Sequence, residues 1–232
     1  FRASKNLLFE KELEKFKQDM YIYGKLCIMG SGSRCIIGSS GFIEFCESIM
    51  SNNRELLNFY IKNIDLVGYE RKKDEYIKSE SNFFLSKTIL LALKGSWEDV
   101  IRRSDIYLNN PSKSSYDKYK YIEFEYLKSL ALRDEIKMRE CIDKMLEKKV
   151  AKKMLNDMST AFDFYLHIFV IMYAKIAMYH GIDLGIDHEI APKELIDITP
   201  AKEYPEPYEF MKKFNLNTIT KEEWLDWIYE YH

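Results

Sequence analysis

His180, Asp183, Asp187, His188 and Glu189 form the one cluster in the chain where imidazoles and carboxylates gather. Neutral imidazole and carboxylate oxygen are common donors to a divalent metal, so a metal centre is the first chemistry to weigh. The spacing matches no established ligand pattern, and Gly181 and Gly185 interrupt any helix that would align the groups. Turn and cap roles for Asp183 and Asp187 are expected instead. Residues 30–41, GSGSRCIIGSSG, hold four of the nine glycines. A phosphate cradle there would need a preceding strand and a terminal Gly-Lys-Ser/Thr, and Arg34 is the only cation, so the segment reads as an interhelical loop. Nucleophilic catalysis has no Gly-x-Ser-x-Gly to rest on. Cys27, Cys35, Cys46 and Cys141 lack the C-x2-C pairing of zinc and redox sites. No catalytic residue, metal or cofactor is expected, and the thiols suit a reducing, cytoplasmic setting.

A second pattern points to binding. From His180 to His232 there are 12 acids against 5 bases, a net of −7, although the whole chain carries 35 bases and 37 acids and is only −2. The overall balance argues against direct nucleic-acid binding. The acids alternate with Tyr204, Tyr208, Phe210, Phe214, Trp224, Trp227, Tyr229 and Tyr231. Rings give buried area at low entropy cost while carboxylates steer a basic partner, which makes Asp183, Asp187, Glu189, Glu203, Tyr204, Glu206, Tyr208 and Glu209 the candidate partner-binding residues. The competing reading has Phe210, Phe214, Trp224 and Trp227 closing a helical core, with the acids merely solvated.

The elements that would position these residues are helical. Nine glycines and five prolines in 232 residues are too few turn-formers for a many-stranded sheet protein. Phe9, Leu13, Phe16, Met20, Tyr23 and Cys27 recur at spacings of 4, 3, 4, 3 and 4, predicting one helix with Glu10, Glu14, Lys15 and Lys17 outward. Helices are also predicted over 42–50 and 55–67, divided by a cap at Ser51-Asn52-Asn53. Residues 83–94, closed by Gly95 and followed by a Ser96-capped helix bearing Trp97, Val100, Ile101 and Leu108, predict a helical hairpin. A second hairpin spans 119–132 and 135–150, with Met138, Cys141, Ile142, Met145 and Leu146 inward. The strings Leu91-Ala92-Leu93-Lys94 and Leu130-Ala131-Leu132-Arg133 each end the first helix of a hairpin, which suggests a degenerate tetratricopeptide-like repeat with a longer period than usual. A long apolar helix is predicted over 151–179. Its run from Phe164 to Ala174 is bounded by Asp163 and Lys175 and falls short of the ~20 residues a membrane span needs. Four of the five prolines follow it, and Thr220 with Glu223 forms a capping box for a last helix. The expected fold is all-α: antiparallel helical hairpins in a tetratricopeptide-like array with a proline-rich C-terminal cap. We expect one helical domain, 1–232, with long helices over 1–179 and an acidic subregion over 180–232.

Within this frame, AKIAMYHGIDLGIDHEIAPKELI (174–196) followed by EYPEPYEFM (203–211) resembles immunity protein family 49 of bacterial polymorphic toxin systems. The shared pattern is an Ala-containing helix, a turn into Gly-Ile with Asp nearby, a proline-marked short helix at Ala191-Pro192-Lys193-Glu194-Leu195, and a Tyr-x-x-Pro-like stretch at Tyr204, Pro205, Pro207 and Tyr208. The resemblance covers about the last quarter of the chain. It implies a non-enzymatic cytoplasmic protein that binds and neutralises a cognate toxin domain, with no membrane partner. A nuclease toxin, whose active face must be basic, suits the acidic segment. The alternative is a helical-repeat scaffold or regulator that binds a peptide or protein partner in a groove.

Overall fold

A computed structural model of the chain describes residues 2–30, 41–66, 78–113, 119–155 and 165–231. The segment 31–40, most of the glycine-rich loop with Arg34 and Cys35, lies outside them. Thirteen α-helices and no strands occur among the described residues, so the protein is all-α. Two compact units divide the chain: Phe1–Arg71 with Thr199–His232, and Lys72–Ile198. The acidic subregion 180–232 is thus shared between the two units.

The first unit contains α1 (Arg2–Leu8), α2 (Leu13–Gly30), α3 (Gly41–Ile49), α4 (Arg54–Lys62), α12 (Glu209–Lys213) and α13 (Lys221–Tyr231). Helix α2 is its axis, packed by α1, α3, α4 and α13. Its buried face includes Phe16, Lys17, Met20, Tyr21, Gly24, Lys25 and Ile28; it is rotated from the predicted stripe, of which Phe16 and Met20 are buried, Leu13 and Cys27 half-buried and Tyr23 exposed. Phe9 itself is exposed, in the turn between α1 and α2 where Lys11 has φ 55°. Lys17, expected outward, is buried and donates from Nζ to the Thr199 carbonyl at 2.8 Å. Gly24 is required by close approach: a Cβ there would stand 2.6 Å from Ser48 Oγ on α3 and 2.7 Å from Leu56 Cδ2 on α4. Asn53 caps α4 by accepting from Leu56 N at 2.8 Å. The predicted capping box forms reciprocally: Thr220 N donates to Glu223 Oε2 at 2.8 Å, and Glu223 N to Thr220 Oγ1 at 3.1 Å. It sets α13 so that Trp224 Nε1 donates to the Ile28 carbonyl at 3.1 Å and its ring meets the Phe59 ring edge-on at 5.1 Å.

The second unit contains α5 (Asn82–Lys94), α6 (Trp97–Asn109), α7 (Lys120–Leu132), α8 (Glu135–Leu146), α9 (Lys148–Met154), α10 (Ile168–Tyr179) and α11 (Lys193–Ile196). The hairpins α5–α6 and α7–α8 correspond at one constant offset, the step from Gly95 to Arg133, which are the left-handed caps of α5 and α7. The same step carries Asn82 to Lys120, where the two helices begin. It also carries the buried residues Val100, Arg103, Ser104 and Tyr107 of α6 to Met138, Cys141, Ile142 and Met145 of α8. Matching the strings pairs Lys94 with Arg133, whereas the caps pair Gly95 with Arg133, so the two strings do not occupy equivalent positions. The buried side of α6 also differs from the predicted one, because Arg103 turns inward: Nη2 donates to the Phe84 carbonyl and Nε to Thr88 Oγ1, both at 2.9 Å, with the guanidinium 3.8 Å from the Phe84 ring centre. Ser96 holds the cap position of α6 without a side-chain bond.

The rod predicted through Val150 breaks at Glu147, where φ −55° and ψ 127° are extended. The helix predicted over 151–179 is two, α9 and α10, with 156–164 outside the described residues. Ile168 through Ala177 are all buried, which makes α10 the centre of this unit. Its Tyr173 donates to Glu123 Oε1 at 2.8 Å, and Tyr126 donates to the Tyr173 carbonyl at 2.9 Å. No described helix is long and apolar enough to cross a membrane.

Candidate partner-binding surface

The proline-marked stretch 199–210 is held to the first unit by alternate residues. Tyr204 is half-buried: its hydroxyl donates to the Ser51 carbonyl at 2.7 Å and accepts from Ala201 N at 2.9 Å, with its ring centre 5.0 Å from that of Tyr21. Two residues on, Glu206 accepts from the Tyr21 hydroxyl at 2.7 Å and pairs with the ammonium of Lys25, whose side chain is only 4% exposed. Burial and the Glu206 carboxylate together push the Tyr21 phenol well above its usual range. Lys202 N donates to Glu14 Oε1 at 2.6 Å, and Asn52 Nδ2 to the Thr199 carbonyl at 2.8 Å. Glu203, Pro205 and Pro207 fall between the inward residues and are exposed. Inward and outward residues thus alternate from Glu203 to Pro207.

At the end of this strap Tyr208 and Phe210 are exposed and stack on each other, with ring centres 5.4 Å apart and planes 6° from parallel. Glu209 opens α12, and its hydrogen bond with Lys212 at 2.6 Å holds its carboxyl below the usual range. Of the aromatics that could have closed the core, Phe214 and Trp224 do so, and Phe210 does not.

Asp183, Asp187 and Glu189 belong to the second unit and are exposed. Asp183 Oδ1 accepts from Gly185 N at 2.8 Å, a turn-forming bond, and Asp187 Oδ1 accepts at 3.4 Å from the N of Lys193, the first residue of α11. Glu189 lies in the turn closed by the His188–Ala191 bridge. His180 does not face these acids: its Nε2 is 2.8 Å from the Ala92 carbonyl and its ring centre 4.5 Å from that of Trp97. Among the described residues no three His, Cys, Asp or Glu side chains are placed to hold a metal.

The eight sequence candidates thus fall into three groups. Tyr204 and Glu206 have intramolecular partners and fix the strap; Glu203, Tyr208 and Glu209 are presented by it; Asp183, Asp187 and Glu189 line a separate acidic loop. Sequence reasoning ranks Tyr204 and Glu206 with their neighbours, although the alternation around Pro205 and Pro207 carries the signal that separates them. It misses Phe210 as a presented residue. The fold defines an all-α protein with an exposed aromatic and acidic strap. Compared with family models, curated proteins and solved structures, the chain matches none.

Proposed function

We propose that the chain is an immunity protein that binds and neutralises a cognate secreted bacterial toxin domain in the cytoplasm, without catalysis of its own. The resemblance of 174–196 and 203–211 to immunity protein family 49 supports the class. The observation that carries the site is the stacked Tyr208–Phe210 pair, with Glu209 between them in sequence, on a strap that also exposes Glu203 and is held by Tyr204 and Glu206. A surface fixed before binding loses little conformational entropy on association, and paired rings are typical energetic anchors. Asp183, Asp187 and Glu189 add negative charge that steers a basic partner, and a nuclease toxin offers such a face.

Growth of a bacterium expressing the adjacent upstream toxin domain, with and without this chain, tests the reading. Rescue together with a co-purifying complex is expected; unchanged toxicity and no complex would defeat it. Within a confirmed pair, Tyr208→Ala is expected to weaken binding by about 2 kcal/mol.

One observation favours a second reading. The position-by-position correspondence of the two hairpins suits a tetratricopeptide-like scaffold that takes a peptide or protein partner. Such a protein would bind its ligand through the hairpins, and Tyr208→Ala would leave that affinity unchanged.

A further inference from the structure

The end of α8 and the whole of α9 carry a run of exposed lysines that neither reading uses. Between 144 and 153 stand Lys144, Lys148, Lys149, Lys152 and Lys153 against the single acid Glu147, a local net of +4 in a chain that is −2 overall. All five lysines are exposed, while Ala151 and Met154 on the other side of α9 are buried. The outward orientation of the four α9 lysines is therefore fixed by packing. None of the five forms an ion pair among the described residues. Elsewhere on the surface cations take carboxylate partners three residues away, as in Lys15 with Glu12, Arg102 with Asp99, Lys137 with Glu140 and Lys212 with Glu209.

Local stability does not favour this arrangement. Lys148 with Lys152, and Lys149 with Lys153, are like charges at (i, i+4), which oppose the helix. Lys148 and Lys149 also occupy the first turn of α9, which contains no acid, where the helix dipole disfavours cations. A face held together against these terms calls for an external anion. Its composition narrows the class. Lysine is depleted in protein–protein interfaces, and no arginine or aromatic anchor lies within 144–153. Insertion into a membrane surface needs an apolar flank, and that of α9 is buried in the protein. A row of ammonium point charges without base-reading groups matches a phosphodiester backbone.

We infer that the Lys144–Lys153 face is a sequence-independent nucleic-acid backbone site. The whole-chain balance, which argues against such a ligand, averages over a face where the charges are segregated. The inference is independent of toxin binding and involves none of the strap residues.

Anisotropy of a fluorescent duplex oligonucleotide of arbitrary sequence, titrated with the full chain, tests it. Four neutralised phosphates give a log–log salt slope of about −3.6, roughly a 100-fold loss of affinity between about 50 and 200 mM salt. The double variant K148Q/K152Q is expected to reduce the magnitude of that slope by about 2, whereas K94Q, an exposed lysine elsewhere in the same unit, leaves it unchanged. Gln keeps helix propensity, and K149Q/K153Q provides a second variant should the first fail to fold by circular dichroism. Absence of binding at about 50 mM salt, or a slope that both double variants leave unaltered, would overturn the assignment. So would tighter, lysine-dependent retention on phosphatidylserine vesicles, which would transfer the face to a membrane surface.

Discussion

His167 and Glu123 are both buried in the second unit, and burial favours the neutral form of each. The consequences for stability run in opposite directions. His167 caps α10 by accepting from Val170 N on Nδ1 at 3.3 Å, which leaves the ring proton on Nε2. Burial pushes its pKa down to about 4. Since the unfolded chain takes up a proton near pH 6.5, the contribution of His167 is complete above that pH and is lost as pH falls toward 4. Glu123 is pushed up to about 7 by burial, opposed by its hydrogen bond from Tyr173 and by the charge of Lys120. Its contribution is complete below the unfolded value near 4.3 and is lost as pH rises through 7. Glu123→Gln keeps an acceptor for Tyr173 and removes the ionisation, so urea unfolding should show a gain of about 1–3 kcal/mol at pH 8 that shrinks toward pH 5. An equal change at both pH values would refute this account. His167→Asn, which can still cap, should flatten the acid limb between pH 6.5 and 4. In the first unit, Glu206→Ala would leave the buried ammonium of Lys25 uncompensated and is expected to cost about 3 kcal/mol; K25M/E206L should recover much of it.

Helix ends carry the clearest predictions at the scale of elements. Gly95 and Arg133 close α5 and α7 with the same pair of bonds: Gly95 N to Ala92 and Ser96 N to Leu91, then Arg133 N to Leu130 and Asp134 N to Ser129. Gly95 has φ 82°, and a Cβ there would stand 3.4 Å from His180 Cε1, so Gly95→Ala should destabilise by about 1–2 kcal/mol. Arg133 adopts φ 56° with a side chain, and Arg133→Gly should stabilise by about 0.5–1 kcal/mol in thermal unfolding. Such local features were legible in the sequence: the Asn53 and Thr220 caps, the Gly95 stop, and the stripe Met138, Cys141, Ile142 and Met145. What local patterns could not convey depends on distant partners. Lys17 reads as a surface charge because the Thr199 carbonyl that accepts from it lies at the far end of the chain, as does the Glu206 carboxylate that pairs with Lys25. The inward turn of Arg103 likewise depends on acceptors that lie on α5. The string match compared letters rather than caps, and so slipped one position from the correspondence that Gly95 and Arg133 define. Of the candidate surface, sequence marks an acidic and aromatic segment, while the division between residues that hold the strap and residues it displays depends on Tyr21, Lys25 and Ser51.

At the scale of the whole molecule the proposed function makes an ionic-strength prediction. Exposed acids steer encounter, so the association rate with a basic toxin should fall steeply with salt while dissociation changes little. Reversing Glu203 and Glu209 to Lys should remove most of that dependence, measured by stopped-flow mixing. A rate flat in salt would sever the acids from the mechanism even with immunity intact. The chain order of the first unit has a further effect, on when the protein can work. Its two segments, 1–71 and 199–232, are separated by all of the second unit. At ~5–20 residues per second, a ribosome needs on the order of ten seconds to traverse 72–198. Through that interval Phe59 and the Ile28 carbonyl have been made but Trp224 has not, and the nascent chain exposes an unfinished core. The strap is also among the later parts to emerge. Under the proposed function, a message truncated before residue 199 would therefore yield no protection, and the protective dose in a cell would follow the number of chains completed through the strap rather than those initiated.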